Sequence, residues 1–222
     1  MATTTIDTDT ELSAVNSILG AIGQSPVTSL GNKSSTTTTS GGVTVTTNSY
    51  ENPEVSFIYN ILTEVNKDVQ NEGWHFNTEN HKKISLSADG EITVPLNTLR
   101  YDFHDGLVNK AYDTVIRDGK LYDLVNHTST FTKGDYYIDV VTLYEFEKLP
   151  NPFQRYITYR AAVRAATQLV SNPNLVKLLQ EDERKMRAVC LEHDCDSGDF
   201  SFFGLPHGSK YESYQPYYSL RR

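Results

Sequence analysis

Two cysteines, two methionines and a single tryptophan are all that the 222 residues hold of these types. No apolar run approaches the roughly 18 to 20 residues a membrane-spanning helix needs. The opening Met1 to Thr10 is a polar Thr and Asp tract with neither the basic start nor the apolar centre of a signal peptide, so export is not expected. Cys190 and Cys195 stand five residues apart, about 140° around a helix, which forbids a bridge between them while the helix persists. Reduced thiols and a cytoplasmic site of synthesis agree. Basic charge is scarce too, with 20 Lys and Arg against 28 Asp and Glu, a net charge of -8 and a pI near 5.2. Tight binding to phosphates draws on clustered cations that release counterions, so contact with DNA is expected to be passing rather than adhesive. Nucleophile elbow, P-loop and dinucleotide fingerprint are all missing.

What the chain does have is aromatic mass: 14 Tyr and 9 Phe, with hydrophobic residues at 38% and a mean hydropathy of -0.46. Tyr is rigid and amphipathic, suited both to sheet packing and to protein interfaces. The length allows one ordinary core, or two small modules sharing one.

Periodicity divides the chain. Thr10 caps a first helix with Leu12, Val15, Ile18, Leu19 and Ile22 on one face, ended by Gly23 and Pro26. Asn32 to Ser49 is a Ser, Thr and Gly tract, either a β-hairpin turned at Gly41-Gly42 or an unstructured loop. Asn52-Pro53 opens a second helix that runs to about Glu72, with Val55, Ile58, Tyr59, Leu62, Val65 and Val69 as its buried stripe. From Trp74 to about Leu149 the period is two. A two-residue turn at Asp118-Gly119 pairs Arg117 with Lys120, Ile116 with Leu121 and Val115 with Tyr122; at Asp89-Gly90 a longer loop fits as well as a tight one.

Helical period returns after Asn151-Pro152, with Phe153, Tyr156, Ile157, Ala161, Ala165 and Leu169 on one side. Ala162 and Ala166 permit close helix approach. A fourth helix restarts at Asn172-Pro173, its face formed by Leu175, Leu179, Met186, Val189 and His193. The expected fold is therefore α+β. An antiparallel helical bundle forms from both ends of the chain (1–73, carrying the 32–49 insert, and 151–196), an antiparallel β module (74–150) is inserted in it, and an extended aromatic tail (197–222) follows.

The residues themselves resemble a family. Glu11-Leu12-Ser13-Ala14-Val15-Asn16, Ile18-Leu19, Ile22-Gly23 and Pro26-Val27 are similar to the opening of tail tubular protein A of short-tailed, podovirus-type phages. Gly73-Trp74, Phe76-Asn77, Tyr122-Asp123, Leu149-Pro150 ahead of Tyr156-Ile157, and the acidic-to-basic run from Glu181 through Arg187 to Cys190 follow in the same order. The resemblance spans about residues 11 to 196. It departs in the longer Thr-rich insert around Ser34 to Asn48 and in the tail after Asp196. It implies a structural subunit of the virion tail, assembled in the host cytoplasm. Twelve copies form a ring that joins the portal protein to the nozzle protein (tail tubular protein B), docks tail fibres and lets DNA pass through its lumen. It implies no cofactor and no membrane contact.

Several residue groups are candidates for that role. Phe200, Phe202, Phe203, Tyr211, Tyr214, Tyr217 and Tyr218 form either an arm inserted into the portal or a neighbouring subunit, or a flap over the chain's own β module. Arg155, Arg160 and Arg164 face either solvent or a neighbour's Glu181, Asp182 and Glu183. Cys190, His193, Asp194 and Cys195 cluster as potential metal ligands but lack the second paired element of a zinc site. An alternative function, a tail-associated polysaccharide hydrolase, would draw on Asp102, Asp105, Asp113, Asp118 and Asp123. A glycosidase needs two carboxylates set across a cleft, whereas aspartates beside Gly, Asn or Tyr are turn formers.

Overall fold

The computed structural model describes residues 9–31, 34–40, 43–49, 52–103, 112–132, 134–170 and 172–198, with the backbone alone for 34–40 and 43–49. Helix α1, Glu11–Ala21, starts where the Thr10 side chain accepts a hydrogen bond from the Ser13 N–H (3.2 Å). It buries Ala14, Val15, Ile18 and Leu19, while Leu12 and Ile22 are half-buried. Asn16 then folds the outgoing chain back by bonding both Val27 N (2.8 Å) and Val27 O (2.9 Å).

Strands β1 (Ser34–Ser40) and β2 (Val43–Ser49) pair antiparallel from Ser34 with Ser49 to Ser40 with Val43. Gly41 and Gly42, where the turn is expected, lie outside the described residues. Helix α2, Pro53–Gln70, is capped by the Asn52 carboxamide, which accepts from Glu54 N at 3.0 Å. All six residues of its expected stripe are buried, joined by Ile61. Gly73, at φ 79°, turns the chain out of it, a conformation that favours glycine.

The β module follows. Strands β3 (Thr78–Ile84) and β4 (Thr98–Phe103) flank β7 (Tyr136–Thr142) in an antiparallel sheet ordered β3, β7, β4. Strands β5 (Thr114–Arg117) and β6 (Lys120–Asp123) form a hairpin in the register expected from Asp118-Gly119. Asp118 (φ 50°) and Gly119 (φ 73°) both adopt the left-handed conformation that a tight hairpin turn demands. The open question at Asp89-Gly90 resolves as a three-residue loop. Ser87 N donates to Glu91 O (2.9 Å), Gly90 N donates to Ser87 O (3.0 Å), and Gly90 is left-handed at φ 76°. Hydrogen bonds from Leu121 N to Ile92 O and from Val94 N to Gly119 O attach this segment to the hairpin. Inside lies an apolar core of Ile92, Val94, Tyr101, Phe103, Leu121, Phe131, Tyr136, Ile138 and Val140.

Helix α3, Asn151–Leu169, is the axis of the helical unit and touches α1, α2 and helix α4, Pro173–Gly198. Its Phe153, Tyr156, Ile157, Ala161, Ala162, Ala165 and Ala166 are all buried. The alanines leave room for neighbouring backbones. Two apolar positions differ from expectation. Leu169, expected on the buried side, is 50% exposed, because α3 outruns its partners there. On α4 the packed face passes through Cys190, which is fully buried, rather than Val189, which is 42% exposed. Cys190 stands four residues after Met186 and three before His193, the spacing a helix needs to keep one face. Among the described residues no helix is long and apolar enough to cross a membrane.

Candidate interaction surface

The helical unit is closed on one side by charge as well as by the apolar contacts of Met186 and Cys190. Helix α4 buries only Cys190 and Gly198 completely, so its attachment to α3 draws on polar side chains. Arg187 forks onto Glu72 at the end of α2 (Nη2 to Oε2 2.9 Å, Nη1 to Oε1 3.2 Å) and donates to the Tyr156 hydroxyl at 2.8 Å. Arg160 reaches the same two groups, Glu72 Oε1 at 3.1 Å and Tyr156 at 3.2 Å, and lies 4.0 Å from Glu183. Hydrogen bonds donated to Glu72 and Tyr156 raise Arg187 above the ordinary guanidinium value. Burial opposes the charge on Arg160, but Tyr156 and Glu72 outweigh it. One carboxylate and one phenol thus bind three helices together.

Arg155, Arg164 and Asp182 find partners inside the chain as well. Arg155 Nε is 3.3 Å from Asp9, and Arg164 Nη1 lies 3.3 Å from Glu64 and 3.5 Å from Asp68. Asp182 takes a 3.0 Å contact from Lys185, and Glu181 is exposed on the same helix. Between these arginines and the acids of α4, Arg160 and Glu183 approach each other within the chain. The aromatic residues Phe200, Phe202, Phe203, Tyr211, Tyr214, Tyr217 and Tyr218 lie outside the described residues.

The potential metal ligands are occupied with packing. Burial pushes the Cys190 thiol up to about 12, and its S–H donates to Pro152 O at 3.3 Å. Asp194 accepts from His75 N at 2.8 Å, fixing α4 to the start of the β module, and the His193 ring meets Phe153 edge-on with centroids 5.9 Å apart. Cys195 is exposed. Among the described residues no group of three or more His, Cys, Asp or Glu gathers as a metal site.

The aspartates of the β module shape loops. Asp123, fully buried, accepts from Asp113 N, Val125 N, Asn126 N and the Asn126 amide at 2.6 to 3.3 Å. Burial alone would raise its carboxyl; those bonds outweigh burial and lower it. Asp102 accepts from Phe103 N and from the Thr114 hydroxyl, and Asp118 forms the hairpin turn. Asp105 lies outside the described residues.

Three buried amides, which periodicity did not single out, join the two halves. Gln70 accepts from Tyr144 N (2.8 Å) and donates to Tyr144 O (2.9 Å), pairing with the chain after β7 as a strand would. Asn77 donates to Gln70 O and accepts from Trp74 N, while Gln154 donates to Phe146 O. Trp74, Phe146 and Leu149, at the two ends of the β module's sequence, pack in the helical core. The bundle and the module are therefore fastened at their roots.

Two hollows stand out among the described residues. One, of about 530 Å³, lies between α1, α2 and the chain after β7, with Glu11, Tyr59, Asn66, Asn97, Tyr144 and Lys148 in its lining. The other, of about 340 Å³, sits at the far end of the bundle where α1 finishes, α2 begins and α3 finishes. Its floor is Leu19 and Ile58, and its rim carries Phe57, Leu169 and Val170, which are 38%, 50% and 38% exposed.

Asp102, Asp118 and Asp123 thus serve strand and loop geometry, and one end of the bundle presents an open apolar hollow. The tail tubular protein family matches residues 40–200, from the end of the first hairpin strand through the whole of α4. The chain belongs to the tail tubular protein family of phages. Its role is accordingly structural, in the virion tail. In this tail tubular protein the matched stretch takes in the Glu72, Arg160 and Arg187 cluster and all three buried amides. Helix α1, with the Glu11 to Val27 pattern, precedes it, and Tyr211 to Tyr218 follow it. No curated protein matches the chain.

Proposed function

We propose that this tail tubular protein is the head-to-tail adaptor of a short-tailed phage, twelve copies closing into a ring between the portal protein and the nozzle protein. The observation that carries the reading is the continuity of the family match. It covers the hairpin strand, the β module and the α3–α4 pair together, so the resemblance belongs to the architecture and not to one shared element. An acidic chain of net charge -8 suits a conduit through which DNA passes without adhering. The bundle and the aromatic tail clasp the portal and neighbouring copies, and the β module carries the nozzle and fibre contacts.

The geometry refines which residues serve. Arg160 and Glu183 hold their own subunit together, so their part in the ring is to keep α4 rigid. Arg155 and Arg164 lie 59% and 41% exposed with single-chain partners near the surface. Such pairs are worth little in water and exchange readily for a neighbour's Glu181 or Asp182. Electron microscopy of the full chain mixed with its portal protein tests the proposal. A ring stacked coaxially on the portal is expected, and a chain that stays monomeric beside bare portals refutes it.

A further inference from the structure

The apolar hollow at the end of the bundle has no counterpart in the chain's own described residues, yet its rim is built of side chains that a monomer would bury if it could. Phe57, Leu169 and Val170 come from two helices and converge over Leu19 and Ile58, with Glu54 and Gln24 only at the edge. A contiguous exposed apolar hollow with polar groups only at its edge marks a docking site. The occupant must be apolar and short. The Ser34–Ser40 and Val43–Ser49 strands leave the bundle nearby but consist almost wholly of Ser and Thr. The tail offers Phe200, Phe202 and Phe203 within four residues, a denser apolar group than any other segment outside the described core.

Reach decides which copy supplies them. Helix α4 runs antiparallel to α3: Cys190 sits on Pro152, Arg187 on Tyr156 and Glu183 near Arg160. Its end, Gly198, lies eight residues beyond Cys190, and the hollow lies eighteen residues along α3 from Pro152 at Val170. At ~1.5 Å per helical residue these lengths place Gly198 about 39 Å from the hollow of its own subunit. Phe203 is five residues past Gly198, and even a fully extended chain carries it only ~18 Å. The Phe cluster cannot enter the hollow of its own chain.

We infer that Phe200, Phe202 and Phe203 of one copy dock in the hollow lined by Leu19, Phe57, Ile58, Leu169 and Val170 of the next. The contact is heterologous, one end of the bundle on the opposite end of its neighbour, which is the kind that closes rings. The inference rests on the adaptor reading, and it names the surface by which that ring holds its copies.

The test uses the full chain with its portal protein. A photo-crosslinking phenylalanine analogue is placed at position 202, and equal amounts of light and heavy isotope copies are assembled and irradiated. Crosslinks from 202 to Phe57, Leu169 or Val170 joining light to heavy copies are expected. Crosslinks confined to one isotope, or running to the portal or to another surface, overturn the inference. In parallel, Leu169→Asp with Val170→Asp, both at exposed positions, is expected to leave the far-ultraviolet circular dichroism unchanged while lowering the copies bound per portal at least tenfold. Phe202→Asp with Phe203→Asp is expected to do the same. Rings that form normally from both variants overturn the docking site but leave the adaptor standing. Failure of the unaltered chain to form rings at all removes both.

Discussion

Gln70→Ala exposes how the two halves of this protein depend on each other. Gln70 is fully buried, and its carboxamide makes three hydrogen bonds: to Tyr144 N, to Tyr144 O and to Asn66 Oδ1. The alanine variant leaves the Tyr144 N–H and C=O without partners in a part-buried site. An orphaned buried group costs about 1 to 3 kcal/mol, so two of them, taken near the lower limit for partial burial, amount to about 2 kcal/mol. The lost volume adds to this. That is a large fraction of the ~5 to 15 kcal/mol that holds a typical domain together. Gln70→Glu is a sharper control of nearly the same shape. It still accepts from Tyr144 N but sets a carboxylate against Tyr144 O, so it is expected to destabilise comparably at neutral pH. Urea unfolding followed by tryptophan fluorescence reads the effect, because Trp74 donates to Val69 O one residue before Gln70. A loss below about 0.5 kcal/mol for the alanine variant, the scale of an ordinary surface substitution, would refute the claim that this amide fastens the module to the bundle.

Other outcomes follow from the same geometry. Arg187→Met is expected to cost about 2 kcal/mol, because hydrogen bonds to charged groups are worth ~1.5 to 3. Since Arg160 shares Glu72 and Tyr156 with it, a double-mutant cycle with Arg160→Met should be non-additive, and strict additivity contradicts a shared cluster. Thiol labelling of the native chain near pH 8, weighed by mass spectrometry, should modify exposed Cys195 and spare Cys190, whose thiol lies at about 12; two labels per native chain contradict that burial. Asp123 has a lowered folded pKa, so its contribution to stability is complete above the ordinary carboxylate value near 3.8 and is lost as pH falls through the lower folded value. Asp123→Asn should therefore flatten the acid limb of the stability profile, and an unchanged limb argues against the loop assignment. Gly119→Ala meets no neighbouring atom but forces a left-handed alanine, and should cost about 1 kcal/mol.

Much of the fold was legible because its signals are local. Thr10, Asn52-Pro53 and Asp118-Gly119 act on backbone within three residues, and each does in the structure what its chemistry dictates. Helix faces were legible where a partner runs alongside, and the α2 stripe is buried throughout. Leu169 was misplaced because periodicity reports which face is apolar and not where the neighbouring helices stop. Val189 was misplaced because α4 is held by Arg187, Glu72 and Tyr156, an attachment that an apolar pattern cannot register. Gln70 had no signal at all. Its partner, Tyr144, is 74 residues away, and a lone glutamine on a helix looks the same whether it meets water or a strand. The family resemblance in the residues supplied what local chemistry could not, a place for the chain in a virion.

The central claim is the ring, and the most direct measurement is single-particle electron microscopy of the full chain incubated with its portal protein. A twelvefold ring seated coaxially on the portal is expected, each copy's α4 leading toward the open bundle end of its neighbour. Portals that remain bare, with the protein persisting in solution as a 25.0 kDa monomer, would contradict it.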